Sequence, residues 1–313
     1  MNQKVFSLHP LIAVTQQAVS RMTAVIEEAI LPSRCLVCGS FFLPSCDGSV
    51  DPAAVVRDNT LDIRQKRGNQ PDYCGVEGSP FDRLSKFSFE ALLAPYLCHG
   101  CLTGFRPVRS PLCTMCGIMF RSREDNDHLC GNCIRQPKKF YRARAVGLYT
   151  PGFIELVHKF KYAGRTQLAM PFGILMLAAY LRNWKPDDID LIIPVPLHRK
   201  RLRQRGFNQA FLLVSNWGRI AGEMNLRLAG VATEKKALVR KRHTAPQTGL
   251  GRADRKRNIK KAFGIAEPAK INNKRLLLVD DVYTTGATVN ECAGVLLKNG
   301  AERVDVLTLA RAV

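Results

Sequence analysis

The stretch Arg275-Leu-Leu-Leu-Val-Asp280-Asp281-Val-Tyr-Thr284-Thr285-Gly286-Ala287-Thr288 decides the fold. Its apolar run, residues 275–279, predicts a buried strand, and residues 287–299 have helical spacing. Between them the strand ends in two carboxylates, and a loop of hydroxyl residues opens the helix. A helix start presents unpaired backbone N–H groups. With the hydroxyls of Thr284, Thr285 and Thr288 beside Ala287, it suits a phosphate monoester. Gly286 lets the main chain approach the anion. Asp280 and Asp281 suit a pair of sugar hydroxyls with a divalent metal nearby. Capping the helix requires one such polar residue, whereas residues 280–288 supply five polar side chains.

Outward from this segment the same texture repeats. Residues 143–149, 190–194 and 304–309 read as apolar strands, and 152–162, 167–181 and 207–224 as helices. Apolar strands alternating with helices predict an α/β fold with a parallel sheet. Ligands in such sheets sit at the carboxyl ends of the strands.

The N-terminal part is different. Of the 11 cysteines, eight form four Cys-x-x-Cys pairs: Cys35/Cys38, Cys98/Cys101, Cys113/Cys116 and Cys130/Cys133. Each pair turns two thiolates toward one point, and two pairs complete a tetrahedral zinc site. The last two pairs are 13 residues apart, near zinc-ribbon spacing. Redox dithiols or unliganded core cysteines are the alternatives, and the crowding of four pairs argues against both. Iron–sulfur clusters usually have less even spacing. The simplest pairing joins the first knuckle to the second and the third to the fourth, giving two structural Zn²⁺ sites. The first site then closes over an insertion, 39–97, in which Cys46 or Cys74 is a substitute ligand. Four thiolates leave no open position for catalytic water.

We read three parts: an amphipathic helix within 1–34, a cysteine-rich module over 35–140 with its irregular insertion, and the α/β domain over 141–313. No apolar run reaches the ~18 residues of a membrane span. The N-terminus lacks a secretory layout, so a cytoplasmic location is expected.

The formal charge is +21, and residues 196–261 hold 18 Lys+Arg against three Asp+Glu. Arg201, Arg203 and Arg205, with Arg255, Lys256 and Arg257, form runs suited to the phosphates of a nucleic acid. A solvated basic face is the plainer alternative. Phe207, Trp217 and Phe263 are candidate stacking residues, although apolar groups on helices are usually core. Cys292 reads as a small buried apolar side chain.

Residues 280–288 resemble the phosphoribosyl pyrophosphate (PRPP) motif of type I phosphoribosyltransferases. Further matches are Lys159-Phe-Lys161-Tyr-Ala-Gly164, Pro194-Val-Pro196-Leu-His198, Arg203-Gln-Arg205-Gly-Phe207-Asn208-Gln209-Ala210 and Pro246-Gln247-Thr248-Gly249-Leu250. With the Cys-x-x-Cys pairs, they resemble the ComF family (ComFC-like) of competence proteins from about Leu31 to Val313. The 39–97 insertion is the departure. The resemblance implies a type I phosphoribosyltransferase fold and a double zinc-ribbon module. It places the PRPP ribose on Asp280 and Asp281, its 5′-phosphate on Thr284 to Thr288, and its pyrophosphate on Pro194, Val195 and Pro196. Mg²⁺ would accompany PRPP. Lys161, Arg199, Arg240, Lys241 and Arg242 become pyrophosphate or hood candidates. The family is linked to uptake of single-stranded DNA in natural transformation, so single-stranded DNA and other DNA-uptake proteins are the implied partners. Hypoxanthine and guanine enzymes carry an acid where this chain has Thr284, so a 6-oxopurine proton-transfer step is not implied. The acceptor, and whether phosphoribosyl transfer occurs, stay open.

Overall fold

The computed structural model describes residues 33–43, 88–120, 126–224, 226, 231–244 and 252–312. The expected helix within 8–31, the part of the 39–97 insertion from 44 to 87 with Cys46 and Cys74, and the 246–250 motif lie outside the described residues. The ends of the insertion, expected to be irregular, carry a short strand and a short helix.

The elements begin with a two-residue hairpin, β1 (Ser33–Arg34) and β2 (Phe41–Phe42), around the first knuckle. Short helices α1 (Phe89–Leu93), α2 (His99–Leu102) and α3 (Gly131–Arg135) follow. The α/β part begins with β3 (Ala143–Leu148), α4 (Pro151–Tyr162) and α5 (Ala169–Asn183). Pro151 opens α4, where a missing N–H costs nothing. Next come β4 (Leu191–Pro194), α6 (Arg199–Arg205), α7 (Gln209–Leu212), α8 (Trp217–Glu223) and β5 (Ala232–Thr233). β6 (Leu238–Arg240), α9 (Arg252–Ile259), β7 (Phe263–Ile265), β8 (Arg275–Tyr283), α10 (Ala287–Lys298) and β9 (Arg303–Arg311) complete the chain.

Five strands form one parallel sheet in the order β3-β9-β8-β4-β5. β6 and β7 pair separately as an antiparallel hairpin. The chain runs outward from β4 to β5, then returns to place β8 and β9 on the other side of β4. That reversal opens a crevice at the carboxyl ends of β4 and β8. The central strands are covered on both faces. Leu277 and Val279 pack with α4 and α5, whereas Leu276 and Leu278 pack with α10, as the period-2 alternation of a strand requires.

Each face also carries one group of cysteines. Cys35, Phe89, Leu92, Leu93 and Leu97 share the core of the α4 and α5 face. Cys113, Cys116, Cys133 and Phe140 share the core of the α10 face.

Two expected elements differ from those observed. The helix expected over 207–224 is two helices, α7 and α8. Asn208 caps the first, accepting from Ala210 N at 3.0 Å. A turn then redirects the chain so that Trp217 is buried and its Nε1 donates to Gly173 O at 3.0 Å. The strand expected over 275–279 runs on to Tyr283, because Asp280 and Val282 stay in register with Thr308 and Ala310 of β9. Both aspartates therefore lie in the strand.

Candidate functional site

A cavity of about 540 Å³ fills the crevice at the carboxyl ends of β4 and β8. Its lining includes Lys161, Val195, Pro196, Leu197, Arg201, Arg205, Phe207, Arg240, Asp280, Asp281, Thr284 and Thr288.

The strand positions the carboxylates. Successive side chains of an extended strand point to opposite faces, and Asp280 and Asp281 diverge accordingly. Asp281 meets Lys161 at the end of α4, with Nζ 2.9 Å from Oδ2 and the side chains 15% and 6% exposed. Burial opposes the Lys161 charge, but Asp281, with Asp280 behind it, more than offsets this and raises the lysine pKa. Asp280 accepts from the backbone N–H of Asp281 at 2.9 Å. Burial, with Asp281 adding to it and Lys161 opposing, raises the Asp280 carboxyl to about 8. The free site therefore favours one proton on Asp280 near neutrality.

The loop after β8 turns at Gly286, whose φ is +74°. A Cβ there would lie 2.3 Å from the Tyr283 hydroxyl, so both conformation and space require glycine. This turn opens the three-turn helix α10 beside the cavity. Thr284 and Thr288 line the cavity, and the Thr285 hydroxyl caps Ala287 N at 3.4 Å.

The loop after β4 is fixed from two sides. Val195 N donates to Val279 O at 2.8 Å, and Asn208 Nδ2 donates to Val195 O at 3.1 Å. Pro194 and Pro196 are buried beside it, and Pro196 lines the cavity.

The arginines divide differently from their sequence grouping. Arg201 and Arg205, nucleic-acid candidates by sequence, line the cavity. Arg201 donates to Thr244 O at 2.9 Å, and Arg205 bonds Gln209 and lies over the Tyr162 ring at 4.9 Å. Arg240 also lines the cavity, bonded to Thr244 Oγ1. Burial, then repulsion from Arg201, lowers its pKa. Arg199, Arg203 and Lys241 are exposed outside the lining, and Arg242 bonds the carbonyls of Asn258 and Lys260 at 2.7 and 2.9 Å. Arg255, Lys256 and Arg257 fall on α9, where Arg257 pairs with Asp254.

Of the stacking candidates, Trp217 and Phe263 are core and Phe207 lines the cavity. His158 also lines it and lies 3.3 Å from the Tyr149 hydroxyl. His198 instead caps α6, accepting from Lys200 N at 3.2 Å. Tyr149, Tyr162 and Gln209 also line the cavity; Tyr162 and Gln209 fall within the matched motifs without an assigned role, and Tyr149 lies outside them. Tyr149 directly follows β3, so the rule that ligands gather at strand carboxyl ends was the available signal.

The knuckles gather as the simplest pairing predicts. Cys35, Cys38, Cys98 and Cys101 form one tetrad and Cys113, Cys116, Cys130 and Cys133 another, with the sulfurs of each within 4.8 Å of one another. No disulfide links these cysteines. Backbone N–H groups of Cys116 and Cys130 point at Cys113 Sγ at 3.4 and 3.3 Å, an arrangement that favours thiolate. Four soft ligands at this separation suit a tetrahedral metal ion such as zinc. Among the described residues no helix is long and apolar enough to cross a membrane.

A parallel sheet with a hydroxyl-bearing loop and a helix start beside the cavity at its topological reversal, joined to two cysteine tetrads, defines the class. Comparison with known proteins then places the chain. It is 35% identical over 222 residues to the DNA utilization protein YhgH of Escherichia coli O6:H1, covering 69% of this chain and 90% of that one. It is 33% identical to competence protein F of Haemophilus influenzae, with the same coverages, and 28% identical to competence protein ComFC of Bacillus subtilis, covering 69% and 84%. The chain belongs to the ComF family. No family model matches it. A solved purine phosphoribosyltransferase from Pyrococcus horikoshii is similar at a TM-score of 0.26 and 18% identity, over 44% of this chain and 84% of that one. So loose a superposition adds nothing to the assignment.

Proposed function

We propose that this protein binds PRPP with Mg²⁺ in the β4–β8 crevice and single-stranded DNA on its basic face, and serves the uptake or use of DNA. The observation that carries the reading is the composition of one cavity. Two buried carboxylates, a hydroxyl-bearing helix start, and Lys161, Arg201, Arg205 and Arg240 converge there. A sugar phosphate offers hydroxyls to the carboxylates and anionic groups to the loop and the cations.

The carboxylates fit a divalent cation, because two adjacent acids share one paired lysine and one of them retains a proton near neutrality. Asp280 and Asp281 would hold such a cation, which would supply charge neutralisation for a bound pyrophosphate. The family resemblance supports assigning Thr284 to Thr288 to the 5′-phosphate and Pro194 to Pro196 to the pyrophosphate. The relatives named for competence and DNA utilization support the DNA role. The exposed Arg199, Arg203 and Lys241 are the expected contacts to the DNA backbone. Zinc in both tetrads would hold the cysteine-rich segment on the sheet.

The test is calorimetric titration with PRPP and Mg²⁺, with and without single-stranded DNA, on wild type and an Asp280→Ala/Asp281→Ala variant. Binding in wild type and loss in the variant is expected. No wild-type binding would leave the loop a scaffold and overturn the PRPP reading.

A further inference from the structure

Arg311, the last residue of β9, is 5% exposed and is in no ion pair with a carboxylate among the described residues. A buried guanidinium needs a counter-charge. The anion-forming atom beside it is a ligand of the second tetrad: Nη2 donates to Cys116 Sγ at 3.5 Å, and Nη1 donates to Cys116 O. Four thiolates around one divalent ion carry excess negative charge, which the guanidinium offsets.

The same guanidinium also lies over Tyr283, the strand residue that directly precedes the phosphate loop. Its Cζ lies 4.3 Å from the centre of the Tyr283 ring. Tyr283 is buried, and its hydroxyl occupies the space where a Gly286 Cβ would be. The Arg311 carbonyl accepts from Tyr149 N at 2.7 Å, and Tyr149 lines the cavity. Cys116, Arg311, Tyr283 and Gly286 thus form one contiguous buried stack from metal ligand to loop. The first tetrad is on the opposite face, with only Cys35 fully buried.

We propose that metal occupancy of the second tetrad regulates the phosphate loop through Arg311. With the metal bound, the thiolates hold the guanidinium under Tyr283 and Tyr283 holds the turn at Gly286. Without it, the four sulfurs are no longer held at one point, Cys116 Sγ no longer fixes the position of the guanidinium, and the loop loses its support. Arg311 is a positioning residue. This inference rests on the proposed PRPP site for its ligand and on zinc for its metal.

Reciprocity of linked binding supplies the test. Full-length protein is titrated with a chelating indicator to obtain the zinc affinity of each tetrad, with and without PRPP and Mg²⁺. PRPP is expected to raise the second tetrad's zinc affinity about tenfold, a typical coupling between sites, and to leave the first unchanged. Cys38→Ser identifies the first tetrad's signal. In Arg311→Met the PRPP-dependent change should vanish, and Arg311→Lys, which keeps the charge without the planar stack, should restore part of it. Equal zinc affinity with and without PRPP would overturn the proposal. If wild type binds no PRPP, the PRPP reading fails separately. Hydrogen exchange of the 284–288 amides before and after zinc removal from wild type then decides: faster exchange sustains the link, and unchanged exchange overturns it. This second measurement needs no variant to fold.

Discussion

Lys161 and Asp281, 120 positions apart in the chain, form an ion pair of 2.9 Å with side chains 15% and 6% exposed. The pair joins the end of α4 to the end of β8 in the lining of the cavity. Breaking a buried pair leaves one charge unpaired, whereas removing both partners does not. Lys161→Met alone should lower stability by about 3–5 kcal/mol, and Lys161→Met/Asp281→Asn by clearly less. Denaturant unfolding of the two singles and the double measures this, and an additive double would show the pair to be uncoupled.

The raised Asp280 pKa makes a signed prediction. An acid titrating near 8 when folded and near its ordinary value when unfolded holds its proton more tightly in the native state. That contribution to stability is present at low pH and is lost as pH rises through the interval from about 4 to about 8. Asp280→Asn cannot ionise, so the variant should gain melting temperature relative to wild type as pH rises from 5 to about 8.5. Parallel melting profiles would show that Asp280 titrates normally.

The arginines should separate by function. Arg199→Glu/Arg203→Glu lies outside the cavity and should weaken single-stranded DNA binding. The slope of log affinity against log salt should fall by about 0.7 for each phosphate that the variant no longer neutralises, with PRPP affinity unchanged. Arg201→Met should do the reverse. Equal weakening of both ligands in each variant would mean one shared site.

Metal analysis should return two zinc ions per chain, one for each tetrad. Cys133→Ser should lose one of them and lower the melting temperature more than Cys38→Ser, because Cys133 is buried with the α10 core while Cys38 is exposed. Thermal scans with matched zinc assays check this ordering.

Gly286→Ala combines a left-handed φ with a Cβ placed against the Tyr283 ring. Strain of this kind costs on the order of 1–3 kcal/mol. Unfolding of the variant measures it, and the loop's ligand affinity should fall with it.

Much of the architecture is written in local sequence. The alternation of apolar strands with helices is a short-range pattern, and it is enough to predict a parallel sheet with its crevice at the carboxyl ends. The Cys-x-x-Cys spacing is also local, and each knuckle forms where that spacing puts it. Residues 280–288 can be read as an anion site because a strand, a hydroxyl loop and a helix start are contiguous. The end of β8 is not legible in the same way, because pairing with β9, a long-range event, carries the strand through two carboxylates. Nor is the break between α7 and α8, because burial of Trp217 against Gly173 outweighs the helical spacing.

What the chain determined by itself is therefore each element and the chemical groups it carries. Only the tertiary structure decided which groups meet. Sequence clustering assigns Arg201 and Arg205 to nucleic acid; in the fold they line the cavity, held by bonds to Thr244 O and Gln209. Nothing in the neighbourhood of Arg311 announces a partner, yet it bonds Cys116, 195 residues earlier. Local periodicity fixes the direction of a side chain relative to its own backbone. What it meets depends on strand order and on which face of the sheet each tetrad covers, both set by burial across the whole fold.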